Sequence, residues 1–273
     1  MSTSRKARAS KRWHTRHIVQ ESLRHQASKR VAVLERQVLA TEKRVLGEVH
    51  PNTLNTTSNL ASTYSDQGKY AEAEVLQREV LATSKRVLGE EHPSTLISAG
   101  NLAATYSDQG KYAEAEVLCR EVLATQKRVL GEAHPSTLTT AGGLGEVLLR
   151  RGRFAEAELL LRSTLKLSTD ALGTDHDSAL FVAATLCETL SELEGHAEAE
   201  LLIRETCSSL NKSLGVEHLD ALRAARILGQ VLLKKGATEE AAEVLRTTHA
   251  TQLRVLGAEH AETQLTATAV ERL

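Results

Sequence analysis

The side chains in this sequence best suited to chemistry are its histidines, and six of them recur at a fixed interval. His50, His92, His134, His176, His218 and His260 follow one another every 42 residues. Imidazole is a common metal ligand and general base, but a metal site needs its ligands to converge within about 2 Å of one ion. Residues at a constant long interval belong to successive copies of one structural unit, and packed helical layers stand roughly 10 Å apart. The histidines therefore project in parallel, and their spacing predicts a part in shaping the loop that each occupies.

The other candidates reduce in the same way. Cys119, Cys187 and Cys207 share no short metal-type spacing. Cys119 and Cys187 fall in apolar columns of the recurring unit and read as small buried hydrophobes. Glu72 and Glu74 stand at the entry to a helix, where a carboxylate suits the positive end of the helix dipole. The sequence contains no glycine-rich phosphate loop, nucleophile elbow or zinc motif. No acid, base and nucleophile come together, so the reading is a non-enzymatic chain with no catalytic, cofactor or metal residues.

Composition points to what these residues are mounted on. Among 273 residues 41% are hydrophobic but only 3% aromatic, with three prolines and a net charge of -1. A core of alanine, leucine and valine suits helices that approach closely. Near-neutral charge and scarce aromatics make nucleic acid an unfavoured partner. The alternative, a nucleic-acid-associated helical repeat protein, rests on the basic N-terminus and on Arg223, Arg226, Lys234 and Lys235. No apolar run approaches the roughly 18 residues of a membrane span, so no membrane insertion is expected. Cytoplasm is the expected compartment. An organelle is the alternative, because Arg5, Lys6, Arg8, Lys11, Arg12 and Arg16 share the first twenty residues with serines and no acid.

The unit itself is 42 residues long. Leu46-Gly47 returns as Leu88-Gly89, Leu130-Gly131, Leu172-Gly173, Leu214-Gly215 and Leu256-Gly257. Within one unit Leu54, Thr57, Leu60, Ala61 and Tyr64 recur at helical spacing, and after a break at Gln67-Gly68 so do Ala73, Leu76, Val80, Leu81, Ser84 and Val87. Proline opens the first helix at Pro51, Pro93 and Pro135, where its missing N–H costs nothing. Glycine closes the second, where a left-handed residue is wanted. The expected organisation is a basic tail with an irregular first helix near 9–25 (1–26), a half repeat (27–50), and full repeats over 51–92, 93–134, 135–176, 177–218 and 219–260. A capping helix (261–273) completes the array.

One column of small residues, Ala61, Ala103, Gly145, Cys187 and Gly229, follows a leucine each time and precedes by three a large residue: Tyr64, Tyr106, Leu148, Leu190 or Leu232. Twelve residues on stands alanine, from Ala73 to Ala241. This is tetratricopeptide spacing. The expected fold is all-α, a right-handed superhelical solenoid of helix-turn-helix repeats that works as a protein-protein interaction scaffold.

The segment from Tyr64 to Glu74, nearly repeated from Tyr106 to Glu116, resembles the extended repeat of kinesin light chains, as does Arg86-Val87-Leu88-Gly89-Glu90-Glu91-His92-Pro93. The resemblance is dense from Ala27 to Leu138. It implies binding of an extended cargo or adaptor peptide in the concave groove, with Asn59 and Asn101 holding the peptide backbone. It does not extend to kinesin heavy chain, since no heptad segment stands before residue 27.

The first helices would line that groove. One inner row holds Asn55, Ile97, Thr139, Phe181 and Arg223, and the next holds Ser62, Ala104, Glu146, Glu188 and Gln230. A third holds Asp66, Asp108, Arg150, Glu192 and Lys234. The groove is thus expected to run from neutral, through acidic Glu146, Glu188 and Glu192, to basic Arg223, Arg226 and Lys234. Such a surface would suit a segment with basic residues at its middle and an acidic end.

Overall fold

The computed structural model describes residues 29–273, so the basic tail and the helix expected near 9–25 lie outside the described residues. Twelve helices run through the described part. They are α1 (29–45), α2 (Pro51–Asp66), α3 (Tyr70–Leu88), α4 (Pro93–Asp108), α5 (Tyr112–Val129) and α6 (Pro135–Arg150). Then come α7 (Phe154–Leu172), α8 (Asp177–Glu192), α9 (His196–Ser213), α10 (Leu219–Lys235), α11 (Thr238–Val255) and α12 (Ala261–Val270). No strand occurs among the described residues. Even-numbered helices are the first helices of successive units and odd-numbered ones the second.

The regular histidines are helix caps. His50 Nδ1 accepts the backbone N–H of Asn52 at 3.2 Å. His92, His134, His176, His218 and His260 do the same for Ser94, Ser136, Ser178, Asp220 and Glu262. Each satisfies one of the N–H groups that a helix start leaves unpaired, a task usually given to serine, threonine, aspartate or asparagine. The Nδ1 lone pair does the work, so the ring proton sits on Nε2. At the far end of the pair, Gly89 leaves α3 at φ +92°, a conformation that strains any residue with a Cβ. The turn inside each pair also uses a left-handed residue: Gly68, Gly110, Gly152 and Gly236. In the fourth full unit Glu194 occupies that position at φ +64°, the one positive-φ residue other than glycine among the described residues.

From α2 to α12 every helix packs against its neighbours in sequence. Each even helix also touches the next even helix, whereas no two odd helices from α3 to α11 approach one another at the backbone. The even layer is therefore the tighter one, and the solenoid curves with its even helices on the concave side. Close approach between paired helices depends on the small column. A Cβ on Gly145 would lie 2.4 Å from Leu161 Cδ2, and one on Gly229 would lie 2.5 Å from Leu245 Cγ. Glycine stands where the residue sixteen places on is leucine. Where that residue is Gln77 or Cys119 the column holds Ala61 or Ala103, both fully buried.

One inward assignment needs correction. Val87 is exposed, because the 19-residue α3 overhangs the 16-residue helices on either side and nothing covers its last turn. Gln77 takes a buried place instead, with its Oε1 accepting from Ser58 Oγ at 3.4 Å.

Candidate functional site

The concave face divides into a neutral half and a charged half. In the neutral half a pocket of about 500 Å³ opens between α4 and α6. Its walls include Ile97, Ala104 and Thr139, its floor is Cys119 and Gln126 from α5, and Phe181 of α8 closes one end. Two glycines keep it open, since a Cβ on Gly100 or Gly143 would meet nothing within 4 Å. Gln126 is 2% exposed, and its Oε1 finds no hydrogen-bond donor among the described residues. A buried, unpaired carbonyl costs roughly 1 to 3 kcal/mol, which an occupant donating an N–H would recover. Burial pushes the Cys119 thiol up to about 11, so it lines the floor as a neutral, weakly polar group.

Asn101, from beside the leucine column, and Asp108, from the third inner row, both line this pocket. Asn101 is half-buried and donates from Nδ2 to Ser58 Oγ at 3.3 Å, which ties α4 to α2. Asn55, Asn59 and Ser62 are exposed one unit earlier, on α2. The side chain of Asp66 lies outside the described ones.

In the charged half the structure brings the anticipated acidic and basic residues onto one another. Arg223 of α10 reaches past α8 to donate to Glu146 Oε1 of α6 at 2.7 Å, its guanidinium 5.3 Å from the Phe181 ring centroid. Arg226 donates to Glu188 at 3.0 Å, to Glu262 of α12 at 2.8 Å and to Gln230 at 2.8 Å. Arg150 reaches Glu188 from the other side at 3.2 Å, and Lys234 pairs with Glu192 at 2.8 Å. A continuous chain of charge-assisted bonds thus links α6, α8, α10 and α12.

Arg226 is only 2% exposed. Burial is the largest influence on Glu188 and pushes its carboxyl up, but Arg226, Arg150 and Arg223 together hold it below the usual carboxylate range. Burial likewise opposes charge on Arg226, and Glu188 and Glu262 more than offset it. Glu188, Glu192, Arg226 and Lys234 also line a second hollow of about 640 Å³ with Leu265 and Leu273. Incoming charges here would have to displace partners already in place.

Three members of this face escaped the sequence reading. Gln126 stands in the column of inward-facing Ser84, and a polar residue lengthened within a buried column was the available signal. Phe181 was placed in an inner row but not as the wall between two hollows. Glu262 completes the charge chain from the last helix, and its signal was sign alternation at 36 to 38 residues: Glu188, Arg226, Glu262.

A family model described as tetratricopeptide repeat matches residues 36–86, 52–117 and 94–170. Among solved structures, a Podosopora anserina protein described as a kinesin light chain with nearly identical TPR-like repeats is 30% identical. The match covers 75% of this chain and 97% of that one, with a TM-score of 0.59. BtubC (BKLC) from P. vanneervenii shares 16% identity over 87% of this chain and 92% of its own, at a TM-score of 0.61. The Rap protein complexed with Competence and Sporulation Factor shares 9% identity over 94% and 72%, at 0.63, a likeness of fold alone. No curated protein matches the sequence. The chain belongs to the kinesin light chain-like tetratricopeptide repeat proteins.

Proposed function

We propose that this chain is a non-catalytic scaffold that binds an extended peptide segment of a partner protein, in the manner of kinesin light chain-like cargo or adaptor binding. The segment lies across the even helices of the neutral half and seats one apolar side chain between α4 and α6. The observation that carries this reading is the pocket of about 500 Å³, walled by Ile97 and Phe181 and held open by Gly100 and Gly143. Such a concave, mostly apolar site with few polar groups suits a side chain of a peptide whose backbone is held nearby. Asn59 and Asn101 hold that backbone, since an amide offers a peptide group both a donor and an acceptor. Asn55, Ser62, Asp66 and Asp108 flank the path. Glu146, Glu188, Glu192, Arg223, Arg226 and Lys234 close the far end of the groove by neutralising one another.

The test is a selection from a random-peptide display library on the immobilised chain, followed by affinities of the selected peptides for variants. Asn59→Ala combined with Asn101→Ala should weaken binding about tenfold or more, the loss of two or more hydrogen bonds. The outer-face variant Glu79→Lys should bind like the parent. Loss in the outer variant with none in the inner pair would place the peptide on the other face.

A further inference from the structure

Building on the peptide-binding reading above, we infer that the bound segment carries a lysine or arginine about three residues from its apolar anchor, with the charged head against Asp177 and Asp220. A hollow of about 240 Å³ opens on the other side of Phe181 from the anchor pocket, and Thr139 and Phe181 line both. Successive even helices stand about 10 Å apart and an extended chain advances about 3.3 Å per residue, so neighbouring seats lie about three residues apart. The floor of the hollow is apolar, formed by Leu180, Ala184 and Leu210, all buried. Asp177 at the start of α8 and Asp220 at the start of α10 stand at its edge, both exposed. A lysine or arginine stem covers such a floor while its head stays at the polar edge.

The two carboxylates have no cation of their own. Asp177 forms no ion pair among the described residues. The Asp220 carboxylate lies 3.4 Å from His218 Nδ1, whose lone pair already caps α10 and so offers it no proton. No lysine or arginine occurs on α2, α4 or α8, whereas Asp66, Asp108, Asp177, Glu188 and Glu192 stand on them. The cations that Arg150 and α10 bring to this face are committed to Glu146, Glu188, Glu192 and Glu262. Arg223, which lines the hollow, is held by Glu146 at 2.7 Å. Its Nε is buried and has no acceptor among the described residues, so a backbone carbonyl of the segment would satisfy it.

An acid in the first turn of a helix also suits the helix dipole. Glu262, the counterpart of Asp220 on α12, is nevertheless drawn to Arg226 at 2.8 Å. Two carboxylates left without such a cation, beside an apolar hollow, are a seat for one from outside.

The experiment takes the library-selected peptides that share an apolar anchor position. They should carry lysine or arginine about three residues from it, and replacing that residue with glutamine should weaken binding about fivefold, as for one or two part-sheltered ion pairs. Asp177→Asn combined with Asp220→Asn should weaken the basic peptide by the same factor and leave the glutamine peptide unaffected, so that the two losses do not add. Both side chains are exposed, so the double variant should keep the parent's circular dichroism spectrum. Peptides that lose affinity with Asn59→Ala and Asn101→Ala but are indifferent to the Asp177 and Asp220 changes overturn this inference and leave the groove reading standing. Selected peptides with an acidic residue, or no preferred residue, at the flanking position overturn it as well. A selection that yields no peptide, or peptides indifferent to both pairs of changes, overturns it together with the groove reading.

Discussion

Gly143→Ala and Gly145→Ala lie two positions apart in α6, and they should change stability in opposite directions. Alanine in place of an interior helical glycine gains about 0.5 to 1 kcal/mol from backbone entropy. At Gly143 the new Cβ meets nothing within 4 Å, so that gain should appear almost undiminished. At Gly145 it would lie 2.4 Å from Leu161 Cδ2 and 2.6 Å from Leu161 Cγ. Leu161 is fully buried and has nowhere to swing. Overpacking of this kind costs about 1 to 3 kcal/mol, which leaves a net loss of about 1 kcal/mol. The second full unit already shows the cure, pairing Ala103 with Cys119 at the same two positions. Leu161→Cys alone opens a cavity and should cost about 2 to 3 kcal/mol. Adding Gly145→Ala to it should recover stability, a favourable coupling between touching sites. Urea unfolding followed by far-ultraviolet circular dichroism gives all four values. If Gly145→Ala stabilised the chain as much as Gly143→Ala, the close approach of α6 and α7 would be wrong.

Substitutions at three further positions test separate features. Glu194→Gly should raise stability by about 1 kcal/mol in the same unfolding assay, by relieving a left-handed residue that the sister turns fill with glycine. His134→Ala should lower it by about 1 kcal/mol through loss of the cap on Ser136, while His134→Asn should keep most of it. The arginines around Glu188 hold its folded carboxyl below its unfolded value near 4.5. The stability it contributes is therefore complete above that value and lost as pH falls through the folded one. Between about pH 5 and about pH 3 the melting temperature of the parent should fall more steeply than that of Glu188→Gln.

The helix pattern was legible because each unit repeats the same small set of local rules, from the proline at a helix start to the glycine after Leu88. What the histidines do was only half legible. Their loop-shaping part follows from the interval, but capping through Nδ1 depends on a ring orientation that no spacing specifies. Val87 was misplaced because helical period says which side a residue takes and not whether the neighbouring helix is long enough to cover it. The inner rows set Glu146, Glu188, Glu192, Arg223 and Lys234 on one face, but not the pairing of these charges with one another. Arg223 and Glu146 lie 77 residues apart and meet only because curvature brings α6 and α10 within side-chain reach across α8, and curvature is set by packing between units. Asn101 was legible as the counterpart of Asn59 in the preceding unit, whereas the pocket beside it opens between α4 and α6, whose sequences have already diverged, and no periodicity announces it.

The central claim is that the neutral half of the concave face holds a peptide side chain between α4 and α6, and filling that space tests it most directly. Gly143→Leu places a branched side chain where a Cβ meets nothing, so the fold should persist while the pocket is occupied from within. Fluorescence anisotropy with a library-selected peptide should show at least a tenfold or so weaker dissociation constant for Gly143→Leu than for the parent, with an unchanged melting curve. Equal affinity for the two proteins would contradict the assignment of the pocket as the peptide site.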